Sequence, residues 1–184
     1  MKKVIVLLAD GVEEVEALTQ VDYLRRAGIE VDMVSANDGL SITGAHNIRF
    51  KAEEFIEDIE LKDVDAVIVP GGLKGVENLI ANEKVLEVLE KMNSQNKLIA
   101  AICAGPLVLY EAGVLEGKVY TCYPGIEEKI FRAKFVKQSS ITDGNIITAP
   151  GPAYAQKLAF KVVRYLLERE DVKKLKNEIL YKKY

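Results

Sequence analysis

Two apolar patterns alternate along the chain. Val4–Ala9 is an unbroken apolar run rich in β-branched residues, as in a strand buried on both faces. Val15, Leu18, Val21 and Leu24 then recur at helical spacing, and Arg25, Arg26, Ala27 and Gly28 close that segment with cations and a glycine stop. Glu30–Ser35 predicts the next strand, and weak alternation from Ser41 to Ala52 predicts a short hairpin or edge excursion. Asp65–Pro70 is another buried strand, ending at Gly71 and Gly72. Val85, Val88, Leu89 and Met92 fall on one helical face, and Leu98–Ile102 reads as a strand. Ala104–Ala112 predicts a helix stopped by Gly113, and Lys118–Thr121, Phe135–Gln138 and Asn145–Thr148 predict short strands. Pro152 suits the first turn of a long helix reaching about Arg169, and Asp171 to about Tyr181 predicts one more.

This alternation runs through the chain without a linker, a low-complexity block or a repeat. It predicts a single domain over residues 1–184, α/β in class, with a doubly wound, mostly parallel central sheet covered by helices on both sides. Such sheets bind ligands beyond the carboxyl ends of their strands. Three loops at those ends therefore carry the search for chemistry: Asp10–Glu16, Pro70–Gly75 and Cys103–Pro106.

Composition narrows that search. The chain has one His and two Cys, which excludes a HExxH zinc site, a three-histidine site and a disulfide framework. The formal net charge of −3 offers no basic field for nucleic acid. Val4–Ala9 is stopped by Asp10, too short for a signal segment, and no apolar run approaches the about 20 residues of a membrane span. A cytoplasmic location follows as the expectation, with both thiols reduced. Neither Gly72–Gly75 nor Ser94–Lys97 sits in the context that a phosphate loop or a serine–lysine enzyme requires, and no metal site is expected. The lysine-rich tail from Lys173 to Lys183, with Leu175, Ile179 and Leu180 interleaved, predicts a surface helix with one packed face.

Cys103 stands where a strand stops and a helix is predicted to begin, among Ala100, Ala101, Ala104 and Gly105. Small neighbours permit a tight strand-to-helix turn like the nucleophile elbow of hydrolases. There a thiol would feel unpaired amides and the helix dipole, which favour thiolate. The alternative is a buried Cys acting as a small hydrophobe. Gly71 and Gly72 would lie beside that elbow and can turn backbone N–H groups toward an oxyanion, or simply make a tight turn. Among Glu13, Glu14 and Glu16, a carboxylate at the helix start serves the dipole, whereas one beside the thiol would be a neutral hydrogen-bonding partner or a base. Spacing alone does not choose among these.

Taken together, Ala9–Glu16, Val69–Gly72, Ala100–Pro106 and Gly151–Pro152 resemble, in order and spacing, the motifs of the ThiJ/PfpI superfamily, nearest the subfamily of the parkinsonism-associated protein. The resemblance spans almost the whole chain and implies a flavodoxin-like α/β sandwich that forms homodimers. It implies that Cys103 is the nucleophilic, oxidation-sensitive cysteine, Glu16 its carboxyl partner, and the amides of Gly72 and Ala104, beside Gly71, the oxyanion donors. Two positions depart from the pattern. Tyr123 stands where the family often has a histidine, and Ala104 follows the cysteine where the protease-like branch has one, so a Cys–His protease is not expected. A phenol is a poor base near neutrality but can donate a hydrogen bond to an oxyanion.

The activity implied is cofactor-independent, of glyoxalase or deglycase type: methylglyoxal to lactate, or removal of early methylglyoxal adducts from glycated protein. The alternative is an oxidative-stress sensor or chaperone acting through oxidation of Cys103 to sulfenic or sulfinic acid without turnover. His46 is expected on a surface loop; the resemblance places its region near a partner's active site, from which it would reach across a dimer interface. Cys122 is either a packed thiol or a resolving partner for Cys103, the latter only if the two Cα atoms come within about 7 Å.

Overall fold

The computed structural model describes residues 1–181; Lys182 and Lys183 of the predicted tail helix lie outside them. Strand β1 (Lys3–Leu8) leads into helix α1 (Glu14–Arg26) and strand β2 (Glu30–Ser35). The weakly alternating stretch forms a separate antiparallel hairpin, β3 (Ser41–Thr43) and β4 (Arg49–Lys51), followed by β5 (Glu54–Phe55) at the sheet edge. Next come β6 (Ala66–Val69), α2 (Leu73–Ala81), α3 (Glu83–Ser94), β7 (Leu98–Ile102) and α4 (Pro106–Glu111). The remainder is β8 (Val119–Tyr120), β9 (Lys134–Phe135), β10 (Ile141–Asp143), β11 (Ile146–Ala149), α5 (Ala155–Leu166) and α6 (Arg169–Glu178).

Seven strands form the central sheet in the order β10-β11-β7-β6-β1-β2-β5, all parallel except β10. Alternation along each strand divides the core in two. Ile5, Leu7, Val67, Val69, Ile99 and Ala101 face the layer of α2, α3 and α4. Val4, Val6, Leu8, Ile68, Ala100 and Ile102 face the layer of α1, α5 and α6. Every residue of β1 from Val4 onward is fully buried, which explains why its sequence is continuously apolar. Fully burying a Leu or Ile side chain contributes about 1.5–3 kcal/mol each.

Several elements differ from the sequence expectation. Helix α2 was not anticipated, because Gly72 and Gly75 read as loop. Gly75 lies inside the helix since a Cβ there would stand 2.7 Å from the Val12 amide nitrogen: the helix packs directly on the turn after β1. Helix α4 starts at Pro106 rather than Ala104, and α5 follows a single 3₁₀ turn over Pro152–Tyr154. Strand β10 was also missed; the Asp143-Gly144 turn, with Gly144 at φ +60°, is a hairpin signal in the sequence. The short strands β8 and β9 pair in parallel with each other, apart from the central sheet. No helix among the described residues is long and apolar enough to cross a membrane.

Candidate active site

The chain leaves β1 for β2 on one side and later resumes at β6 on the other, so strand order reverses between β1 and β6. The carboxyl ends of strands around such a reversal form an open crevice. Glu16 enters it from the first turn of α1, Gly71 from the end of β6 and Cys103 from the end of β7.

Cys103 adopts φ +62°, the left-handed region, which costs a non-glycine residue about 1–3 kcal/mol and is typical of functional turns. Its backbone is held on both sides. The Cys103 N–H donates to the Ala149 carbonyl at 3.0 Å, and the Tyr123 N–H donates to the Cys103 carbonyl at 2.9 Å. The elbow closes with the Gly105 N–H donating to the Ile102 carbonyl at 2.8 Å. The side chain is therefore aimed by a rigid turn while remaining only partly buried.

Glu16 is fully buried. Its Oε2 accepts from the Gly71 N–H at 2.8 Å, while Oε1 is buried and closes no hydrogen bond. The carboxyl lies close enough to the Cys103 thiol for each to shift the other's titration. Gly71 fills the gap between them: a Cβ there would stand 2.5 Å from Glu16 Oε2 and 2.6 Å from Cys103 Cβ. The Gly71 amide thus holds the acid, whereas the amides of Gly72 and Ala104 interact with the Cys103 sulfur.

Burial pushes the Glu16 carboxyl up to about 7; the Gly71 hydrogen bond opposes this and the charge of Glu13 adds to it. For Cys103, burial and then the charge and hydrogen bond of Glu16 push the thiol up to about 12, against the pull of the Ala104 and Gly72 amides. This corrects the expectation of a thiol lowered by a helix start: α4 begins too far on, and the amides are outweighed. Two like charges this close are disfavoured, so above about pH 7 the pair carries a single proton. Thiolate forms when Glu16 holds that proton.

The other carboxylates of the run have separate tasks. Glu13 caps α1, its Oε2 accepting from the Glu16 N–H at 2.6 Å. Glu14 is buried and binds the hairpin, accepting from the His46 N–H at 2.7 Å and meeting His46 Nδ1 at 2.8 Å. Burial raises the Glu14 carboxyl, but the bonds to His46, joined by the backbone amides of Glu14 and Ile48, outweigh it and lower the group from its ordinary value. His46 is held above its own ordinary value by the same hydrogen bond. Its ring stands on the surface, turned toward Glu14. Glu13, Glu14 and His46 bring one ligand atom each within 4.8 Å, but both Glu14 oxygens already serve His46. The anchoring role of Glu14 was not evident in the sequence.

Tyr123 is half exposed; besides its backbone bond to Cys103, its ring borders Gly151. Cys122 is buried in the opposite core layer from Cys103, its Sγ 3.9 Å from Glu127 Oε2, and both thiols are free. Burial and the charge of Glu127 push Cys122 up to about 12.

The structure is thus a mostly parallel α/β sheet with a cysteine on a left-handed elbow and a buried carboxyl beside it. A sequence model of the DJ-1/PfpI family matches residues 2–165, and the chain belongs to that family. Among its relatives, Protein DJ-1 homolog B of Arabidopsis thaliana is 31% identical over 169 residues, covering 91% of this chain. The chain spans only 39% of that relative's length. Deglycase PfpI of Pyrococcus furiosus is 34% identical over 157 residues, covering 83% of this chain and 93% of the relative. The crystal structure of Drosophila melanogaster DJ-1beta superposes with a TM-score of 0.93 at 33% identity, covering 97% of each chain. The flavodoxin-like fold expected from the sequence is the fold of this family.

Proposed function

We propose that the protein is a cofactor-independent enzyme for small reactive carbonyls, turning methylglyoxal into lactate or releasing early methylglyoxal adducts from thiols and amines. Cys103 is the nucleophile and Glu16 the acid/base. The carrying observation is the buried Glu16 carboxyl, raised to about 7 and placed beside the Cys103 thiol. A group titrating near the working pH both takes and returns a proton efficiently. The deglycase name of the Pyrococcus furiosus relative supports the same reading.

The sulfur attacks the aldehyde carbon as Glu16 takes the thiol proton; the carbonyl electron pair moves to oxygen, which the Ala104 and Gly72 amides stabilise and Glu16 protonates. Glu16 then removes the hydrogen from that carbon as a proton, giving an enediol, and returns it to the neighbouring carbon, while the hydroxyl proton of the first carbon passes to the former ketone oxygen, leaving a thioester of lactate. The first carbon is oxidised and the second reduced, so no external redox partner is needed. Water cleaves the thioester, releasing lactate and restoring the thiol. With an amine adduct, the sulfur replaces nitrogen on the same carbon, and the amine leaves with a proton from Glu16. Methylglyoxal loss and lactate gain, followed in wild type, Cys103→Ala and Glu16→Gln, test this. Cys103→Ala is expected to abolish turnover and Glu16→Gln to slow it by about 100-fold or more; equal rates in all three refute the assignment.

The same reading includes a homodimer. Val15 at the start of α1 and Ile48 in the hairpin are both 54% exposed and flank the Glu14–His46 pair, an apolar surface suited to a second copy. In such an assembly His46 is available to reach a neighbouring site.

A further inference from the structure

The two segments that hold the Cys103 backbone, one through Tyr123 and one through Ala149, continue into the lining of a cavity of about 600 Å³. No step of the chemistry above uses this space. Tyr123, Phe135, Tyr154, Pro150 and Pro152 line it, with the exposed Lys137 at its edge. Tyr123 is 51% and Tyr154 39% exposed, so two rings present free faces. Cavities of about 300–1,000 Å³ enclose drug-sized ligands, far larger than methylglyoxal. Rings and prolines in the wall favour an apolar, above all aromatic, occupant.

We propose that this cavity is a specificity subsite that receives an apolar or aromatic side chain flanking the adduct-bearing residue of a glycated peptide or protein. The inference rests on the deglycation reading above. Its geometry selects a flanking side chain over a bulky group on the carbonyl itself. Neither Cys103 nor Gly72 lines the cavity, while Tyr123, which does, bonds the Cys103 carbonyl, so its occupant sits beside the reacting carbon rather than on it. A side chain one position along a peptide reaches such a neighbouring space, and phenylglyoxal, whose aryl group is bonded to the carbonyl, tests the alternative.

The test compares methylglyoxal hemithioacetals of acetyl-Phe-Cys-Phe-amide and acetyl-Gly-Cys-Gly-amide, with phenylglyoxal as a third substrate. Wild type is expected to show kcat/KM about tenfold or more higher for the phenylalanine peptide, through KM, in line with hydrophobic pocket discrimination. That ratio is expected to fall toward unity in Tyr154→Ala. Phe135→Ala serves as a second variant, since Phe135 also packs edge-on against Tyr120. Binding of the two unmodified peptides to Cys103→Ala, by calorimetry, separates the claims. A binding preference without turnover leaves the subsite standing and removes the deglycation reading. Equal turnover of both peptides with equal binding removes the subsite and leaves deglycation. A ratio that survives both variants, or a Tyr154-dependent preference for phenylglyoxal, overturns the assignment to a flanking side chain.

Discussion

Glu16→Gln tests the electrostatics of the site through stability as well as rate. The folded protein holds the Glu16 proton up to about pH 7, against an ordinary value of 4.5. Between those limits the folded state binds more protons than the unfolded one, so stability falls as pH rises. The stabilisation is complete below the unfolded pKa and is lost as pH passes through the folded one. At 1.36 kcal/mol per tenfold shift in affinity, the loss is roughly 3 kcal/mol. Gln keeps the size of the side chain and can still accept the Gly71 N–H, but it does not titrate. Wild type minus Gln therefore isolates this group with its coupling to Cys103, since the distant ionisations cancel between the two proteins. Urea unfolding at fixed protein concentration from about pH 4.5 to 8 measures it; with no Trp in the chain, far-UV circular dichroism is the suitable signal. The difference is expected to move by roughly 3 kcal/mol in favour of Gln as pH rises. A difference that stays flat across the range refutes the placement of a buried, near-neutral-titrating carboxyl.

Gly71→Ala puts a methyl within 2.6 Å of both Glu16 Oε2 and Cys103 Cβ. It should cost about 1–3 kcal/mol in urea unfolding and suppress turnover, and unchanged behaviour in both assays counts against this packing. Iodoacetamide and peroxide should modify Cys103 well before Cys122, which is 2% exposed and faces the Glu127 carboxylate. Peptide mass spectrometry showing equal modification contradicts the assignment of the reactive thiol. Val15→Asp, which charges an exposed apolar position at the start of α1, should convert the proposed dimer to monomer by sedimentation velocity; a dimer that persists in the variant places the interface elsewhere, and a monomeric wild type refutes the dimer.

The strands around the site were legible because each is buried on both faces and reads as a plain apolar run, Val4–Ala9 above all. Helix α2 was hidden because its packing demands a residue that helices disfavour: Gly75 is there for the sake of the Val12 backbone, and local propensity carries no trace of that contact. The overextended prediction for α4 has the opposite cause. Ala104 and Gly105 look compatible with a helix, but the left-handed Cys103 spends them on the elbow. Within the Glu13–Glu16 run, helix geometry turns three similar carboxylates toward a cap, a hairpin and a thiol. That division depends on what surrounds the helix, so spacing alone left it open, and the family resemblance singled out Glu16.

The scarcity of histidine also acquires a physical meaning. Tyr123 takes the position where an imidazole was expected, and the chain's one His is engaged with Glu14 at 2.8 Å. Within one chain, the proposed mechanism therefore assigns proton movement at Cys103 to Glu16. A surface carboxyl titrating near 4.5 would be a weak base at neutral pH, but burial brings this one to about 7. The same burial makes ionising both groups together unfavourable, so a thiolate and a protonated acid are generated as one event rather than two. Gly71 is the hinge of that arrangement. Its amide lowers the carboxyl's pKa while its missing side chain lets the carboxyl approach the sulfur, so close approach and proton affinity are set at a single backbone position. On the reading proposed above, the site holds Tyr123 where a histidine was expected and relies on a glutamate that burial in the crevice between β1 and β6 raises to about 7.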